Sequence, residues 1–376
     1  MAPPASTVRV GRAPTTLGRV TPPEPARDAD FRAAIQHTLD SFLDEQADRL
    51  APLGPDAGRL LEQAREAVSG GKRLRAAFCY WGYRSVRPEV PDETALLRAC
   101  AALELLHASA LIHDDFMDAS DTRRGRPATH RTFEAEHRAQ RWSGNPIQYG
   151  AAAAILLGDL LLTWADELLR RCGFPLAEVA PALEVFDLCR SEVVAGQFLD
   201  VSVQARGRAD VDTAMTVLRY KSAKYSIERP LHVGAALAGG SADALDTLGR
   251  FGLPLGEAFQ LRDDLLGVFG DPETTGKPAG DDLVEGKRTV LVALALDAAT
   301  PVEAALLDRS LGHPLTEAEV RQLRELIRSS GAHDQVEQVI DDLVRHALVA
   351  LDGADISTVA RDGLRELAGA ATRRTR

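Results

Sequence analysis

Asp114, Asp115 and Asp118 crowd three carboxylates into one helical turn, in the run His113-Asp114-Asp115-Phe116-Met117-Asp118 that ends an apolar stretch beginning near Ala95. In a helix Asp114 and Asp118 share one face, with Asp115 beside them. Like charges repel, and at the end of an apolar helix that repulsion is tolerated when a cation sits among them. Hard carboxylate oxygens suit Mg²⁺, which takes one or two carboxylates and fills its shell with substrate phosphates and water. A solvated helix end is the plainer alternative for these residues alone. Asp263 and Asp264 repeat the situation after a second apolar stretch, Gly256 to Arg262. Two helices thus deliver aspartate pairs to what reads as two jaws of one metal site. The dipeptide itself is not diagnostic. Asp341-Asp342 lies among Glu337, Arg345 and His346 on a solvated helix face, and Asp281-Asp282 enters a helix, where capping would explain it.

Cations accompany the carboxylates. Gly70-Gly71-Lys72-Arg73-Leu74-Arg75 sets two glycines before three basic residues, the composition of a phosphate cradle built from backbone N–H groups, Lys and Arg. Arg123-Arg124-Gly125 follows the first aspartate cluster within ten residues, and Lys277 follows the second. A diphosphate bridged to carboxylates by Mg²⁺ and held directly by Arg and Lys needs this set.

The elements that must position these groups are helices. Phe31, Ile35, Leu39, Phe42 and Leu43 recur at three and four residues, and that period persists almost to the end. Helices are predicted near 58–69, 73–86, 93–117, 147–172, 177–204, 210–238, 242–268, 285–298, 302–311, 316–330 and 333–352. No alternating strand pattern is found. The segment 270–280, with three Gly and two Pro, is the longest break and the expected lid. Residues 1–27, with six prolines, read as a disordered tail, 28–370 as a single all-α domain, and 371–376 as a frayed basic end.

Composition agrees. The 376-residue chain is 45% hydrophobic but only 5% aromatic, which favours helices over a sandwich or barrel. A formal charge of -11 disfavours nucleic-acid binding. Four cysteines without a C-x-x-C pair fit a reducing cytoplasm. The longest apolar stretch, Ala151 to Leu162, is interrupted by Gly158 and Asp159, so no membrane span is predicted.

These motifs together resemble those of the trans-isoprenyl diphosphate synthases. His113-Asp114-Asp115-Phe116-Met117-Asp118 with Arg123-Arg124-Gly125-Arg126-Pro127 is similar to the family's DDxxD and RRGxP, and Phe259-Gln260-x-x-Asp263-Asp264 to its second motif. Gly70 to Arg75, Gly196-Gln197-x-x-Asp200, Lys221-Ser222, and the stretch from Thr275-Gly276-Lys277 through Gly286-Lys287-Arg288-Thr289 extend the likeness over residues 30–350 in the family's order. The resemblance implies the isoprenoid synthase fold, a large helical bundle around a deep cavity, acting as a homodimer. It implies that Asp114, Asp115, Asp118, Asp263 and Asp264 hold several Mg²⁺ ions on an allylic diphosphate, which Arg123, Lys221 and Lys277 contact directly. Lys72, Arg75, His107 and Arg124 would bind isopentenyl diphosphate. Ser222 and Gln260 would be polar contacts near the reacting allylic end, with Phe259 as packing. His107, seven residues before Asp114, lies about 20° off the same helical stripe. One departure stands out: Gly267 occupies the fifth position of the second motif, where Asp271 or water would have to substitute.

The activity so implied is head-to-tail prenyl transfer. A class I terpene cyclase shares the fold, but the nearest match to its second metal motif, Asp187 to Ala195, lacks the glutamate. A non-catalytic regulatory subunit would have no use for filled aspartate sites. For product length, the tail is expected to run back along the helix that precedes Asp114. Ala110 and Ser109 are small, so the tail passes them and meets Leu106 and Leu103, about 12 and 16 Å up the axis. That depth favours a C20 product, geranylgeranyl diphosphate, over farnesyl or longer chains.

Overall fold

The computed structural model describes residues 28–208, 210–270 and 280–372. The N-terminal tail, the segment 271–279 with Asp271 and Lys277, and 373–376 lie outside the described residues. α1 (Asp28–Leu50), α2 (Pro55–Ala67), α3 (Leu74–Val86) and α4 (Glu93–Met117) come first. Phe31, Ile35, Leu39, Phe42 and Leu43 are all buried, as their spacing demands. Asp92 caps α4 by accepting from Ala95 N at 2.9 Å. α4 is apolar enough over an 18-residue window to pass for a membrane span, a feature not anticipated above. However, 72% of that window is buried inside the protein, so its apolarity serves the core.

A two-residue antiparallel ribbon, β1 (Thr122–Arg123) and β2 (Arg126–Pro127), follows and corrects the expectation that no strand occurs. Next come α5 (Thr129–Ala139), which was not expected, α6 (Pro146–Arg170) and α7 (Leu176–Arg206). Where one helix was predicted over 210–238 there are three segments: α8 (Val211–Val217), a π-helix (Leu218–Glu228) and α9 (Arg229–Leu237). The π-helix lies against α7 and α10 (Ala242–Phe269). A Cβ on Gly196 of α7 would sit 2.4 Å from the Lys221 backbone N, and one on Gly256 of α10 would sit 2.5 Å from the Ala223 carbonyl. Only glycine admits a backbone that close, so these two positions seat the segment that carries Lys221 and Ser222.

The helix predicted at 285–298 begins only at Val290, as α12 (Val290–Ala298), because Gly286 turns the chain at φ 77°, and a short helix that was not expected, α11 (Asp281–Val284), precedes it. Gly280, also left-handed, stands at the N-cap of α11, so Asp281-Asp282 does not cap it. α13 (Pro301–Ser310) and α14 (Glu317–Ser329) begin with reciprocal capping boxes, Thr300 with Glu303 and Thr316 with Glu319. α15 (Ala332–Asp352) and α16 (Thr358–Thr372) complete the described chain. Ala371 and Thr372 are buried in α16, so these two residues do not belong to a frayed end as expected. α16 escaped prediction because it packs through small residues: a Cβ on Gly363 would lie 2.4 Å from Trp81.

The interior has two hydrophobic clusters. The larger joins α1, α3, α4, α6, α7 and α9, and the smaller gathers α8 and α11 to α15. α10 serves both, with Phe251, Leu255 and Phe259 in the first and Leu261, Leu265 and Val268 in the second. Asp263 and Asp264 therefore sit on a helix held on two sides, and Asp114 and Asp115 end another that is buried almost throughout. Such support fixes charged groups at the cavity that they would otherwise leave for water.

Candidate active site

Asp114, near the end of α4, is the hub. Its Oδ1 accepts from Gln197 Nε2 of α7 at 3.1 Å and pairs with Lys221 Nζ at 3.0 Å. Lys221 also reaches Asp200 Oδ2 at 2.6 Å, so α4, α7 and the π-helix meet at one ammonium group. Burial alone would raise the Asp114 carboxyl, but Lys221, Lys287 and Arg123 outweigh it and hold the group well below the ordinary carboxylate range. Asp118, the C-cap of α4, has the opposite balance: burial and the Asp114 charge push it up to about 6. Asp115 is buried and forked by Arg123, whose Nε lies 2.8 Å from Oδ1 and 3.1 Å from Oδ2. Arg123 is thus engaged by Asp115 and lies 3.8 Å from Asp114.

The second jaw comes from α10. Asp264 is buried and accepts from Gln260 Nε2 at 2.8 Å, and burial with the Asp282 charge raises its carboxyl to about 7. Lys287 links the first jaw to α11: its Nζ lies 3.5 Å from Asp118, 3.3 Å from Asp282 and 2.5 Å from Glu285. Despite burial, Asp282 and Glu285 hold the Lys287 ammonium well above the usual lysine value. Ser120 Oγ donates to Glu285 at 2.9 Å, tying the loop after α4 to the connector after α11.

The cradle lies beside this acidic centre. Gly70 and Gly71 take positive φ of 65° and 91°, and Arg73 follows at 54°. Arg73 is buried and pairs with the buried Glu104 at 3.2 Å, so it anchors the loop from inside while Lys72 is exposed on it. Arg75 donates to Ser226 Oγ at 2.7 Å and stacks 4.3 Å over the Tyr225 ring. His107 Nδ1 lies 3.1 Å from Tyr225 OH. Burial and then Arg75, Arg124 and Arg123 push the His107 pKa far down, so it is neutral at neutral pH. Arg124 donates to Ser69 O at 3.0 Å, and burial and the other cations lower its pKa as well. A cavity of about 270 Å³ opens here among Gly70, Gly71, Ala108, Ile112, Arg123 and Arg124. Arg123, Arg124 and Arg126 line it together with Glu66 and Asp115, Asp115 being already engaged by Arg123.

The structure brings together the predicted Asp114, Asp118, Asp264, Lys221 and Arg123 at one centre and Arg75, His107 and Arg124 at another. Ser222 lies beside Lys221 on the π-helix, while Gln260 is turned to Asp264. Lys277 is outside the described residues. Sequence reasoning missed Tyr225, Ser226 and Glu104, and it quoted Gln197, Asp200 and Lys287 only as parts of motifs. Spacing could have added Tyr225 and Ser226 to Lys221 only by anticipating the π-helix, whose i→i+5 turn puts residues four and five apart on one side.

Among the described residues no three acidic, His or Cys side chains form a ready-made metal nest. The donor set still fits Mg²⁺, since one or two hard carboxylates per ion suffice when a diphosphate supplies the rest. Two raised carboxyls facing two retained lysines mark a centre arranged for further charge of both signs.

The polyprenyl synthetase family model matches residues 58–327, which is most of the chain. The chain belongs to the polyprenyl synthetase family. A geranylgeranyl pyrophosphate synthase from Corynebacterium glutamicum, solved with isoprenyl diphosphate and magnesium, superposes with a TM-score of 0.89 at 41% identity, covering 92% of this chain and 99% of that one. The geranylgeranyl diphosphate synthase of Mycobacterium tuberculosis is 32% identical over 355 residues, 87% of this chain and 93% of that protein. A geranylfarnesyl diphosphate synthase from Aeropyrum pernix is 31% identical over 306 residues, 81% of this chain and 87% of its own length. This polyprenyl synthetase thus has the isoprenoid synthase fold expected from its motifs and is a transferase.

Proposed function

We propose that the chain condenses isopentenyl diphosphate with an allylic diphosphate, head to tail and with Mg²⁺, and releases geranylgeranyl diphosphate. One observation carries this reading: Asp118 of α4 and Asp282, which lies against Gly267 of α10, meet at Lys287, and this centre adjoins a hollow lined by Gly70, Gly71, Asp115, Arg123 and Arg124. An anion-binding metal centre beside a second anion site is what joining two diphosphates requires. Asp114, Asp118, Asp263 and Asp264 would hold the ions, while Asp115 orients Arg123. Bound Mg²⁺ would supply Lewis acidity to the departing diphosphate. Lys221, Arg123 and Lys277 neutralise its oxygens as the allylic C–O bond ionises, and Ser222 and Gln260 orient that end. Lys72, Arg75, His107 and Arg124 hold isopentenyl diphosphate with its double bond toward the cation. The proton lost after attack goes to the released diphosphate. Apolar helix faces keep out the water that would quench the cation.

Chain length is the finer part of the proposal. Ser109 is buried, Ala110 is partly open, and Leu106 and Leu103 are buried farther up α4. The geranylgeranyl names of two relatives support a C20 product, and the geranylfarnesyl name of the third shows that related chains make longer ones. Chromatography of the dephosphorylated products tests both levels. Wild type should give mainly the C20 alcohol from Mg²⁺, isopentenyl diphosphate and an allylic starter. Ala110→Phe should shift the main product to C15 or shorter, and an unchanged distribution would free this helix of the ruler role.

A homodimer belongs to the same proposal. Ile155 and Leu156 on α6 and Leu188, Val194 and Phe198 on α7 are exposed, Phe198 by 72%, a row of apolar groups that a second copy would cover. Light scattering should return twice the chain mass.

A further inference from the structure

Gly267 stands on α10 four residues after Asp263, where the second aspartate motif would place its last carboxylate. A Cβ built there would lie 1.8 Å from Asp282 Oδ2, 2.4 Å from its Cγ and 3.0 Å from Oδ1. The volume that a side chain at 267 would fill already holds a carboxylate, delivered from α11. That carboxylate faces the metal centre: Asp282 Oδ1 lies 3.3 Å from Lys287 Nζ, which also contacts Asp118 of the opposite jaw. The Asp282 side chain is 13% exposed. The Lys287 N–H donates to Asp282 O at 3.0 Å, closing the turn that holds aspartate and lysine together.

We propose that Asp282 is the third carboxylate of the second jaw, replacing in space the one that Gly267 lacks, and that residue 267 is glycine so that Asp282 can enter. The proposal rests on the metal reading given above. It is the donor set that it alters: Asp282 takes the place that the sequence offered to Asp271. Gly267 and Asp282 then act as one unit, because a side chain on the first evicts the carboxylate of the second. An aspartate side chain can swing, so eviction should leave the fold intact.

The test is Mn²⁺ binding to the full chain with inorganic pyrophosphate, followed by electron paramagnetic resonance, which reads the centre without turnover. Asp282→Asn should weaken binding about 10- to 100-fold, the usual loss when a group supporting a metal site is removed. Gly267→Ala changes no carboxylate yet should weaken binding by a similar factor, and in an Asp282→Asn background it should add less than a factor of two. Restoring the carboxylate on α10 with Gly267→Asp in an Asp282→Gly chain should recover most of the loss, while Asp271→Asn should stay within twofold of wild type. Wild-type binding by Asp282→Asn, additive effects of the two single changes, or a loss carried by Asp271→Asn would each overturn the proposal. Asp114→Asn separates this from failure of the metal reading: if it too binds as wild type, the centre itself is wrongly assigned. Circular dichroism melts confirm that each variant is folded. Should Asp282→Asn unfold through loss of the Lys287 partner, Gly267→Ala, whose charges are all retained, decides the question.

Discussion

Asp114→Ala should lower kcat by about three to five orders of magnitude, corresponding to about 4 to 7 kcal/mol of lost transition-state stabilisation. Asp114 is singled out because it is where the charges converge. It accepts from Gln197, pairs with Lys221 and lies within the fields of Lys287 and Arg123. On the proposed reading, removing it takes away a metal ligand and leaves Lys221 and Lys287 with less negative charge between them, so the ions that should carry the diphosphate meet a more positive centre. Asp114→Asn keeps the shape and should still lose most of the rate, which separates charge from packing. Chelation by EDTA should stop the wild-type enzyme, and excess Mg²⁺ should restore it. The pH dependence has a definite sign. Asp118 and Asp264 are raised to about 6 and 7, so below these values protons compete with metal for the same oxygens. The Mg²⁺ concentration for half-maximal rate should therefore rise as pH falls from 7.5 to 6. Initial rates against Mg²⁺ at several pH values check both parts, and undiminished turnover in EDTA would remove the metal from the mechanism.

How much of this was legible in the sequence follows from what each feature depends on. α4 and α10 could be read directly, because apolar runs ending in aspartate pairs are local patterns. His107 was reachable from helical periodicity, since it needs only the angle between positions seven apart. α5 and α16 were not, because one is short and polar and the other buries Ala360, Gly363 and Ala368, which carry little hydropathic signal. The π-helix depends on its neighbours. Gly196 and Gly256, on two other helices, clear the space for it, and nothing within residues 218–228 announces it. The Asp282 carboxylate reaches the second jaw across a turn set by Gly280 and Gly286, so only the folded chain puts it against Gly267. Lys287 was lost for the same reason. Its partners Asp118 and Asp282 lie on different elements, and residue spacing carries no information about which helix ends face each other.

Arg75→Ala should raise the Michaelis constant for isopentenyl diphosphate about 10- to 100-fold, since a charge-assisted hydrogen bond to a buried anion is worth about 1.5–3 kcal/mol. The Michaelis constant for the allylic partner should change by less than about threefold, within the scatter of independent sites. The split follows from where Arg75 is held. Its guanidinium donates to Ser226 and lies over Tyr225, and Tyr225 in turn meets His107, so Arg75 is held in this cluster while Asp114 pairs with Lys221. Because stacking and the Ser226 bond fix the guanidinium before substrate arrives, little entropy is spent on binding. Arg75→Lys should recover only part of the loss, as an ammonium offers neither the planar fork nor the same stacking. Lys72→Ala should act in the same direction but more weakly, because Lys72 is exposed and water screens its charge. Initial rates with each substrate varied in turn distinguish the sites. Equal effects on both constants would mean that Arg75 serves the metal-bound diphosphate as well, and the hollow beside Gly70 and Gly71 would then need another occupant.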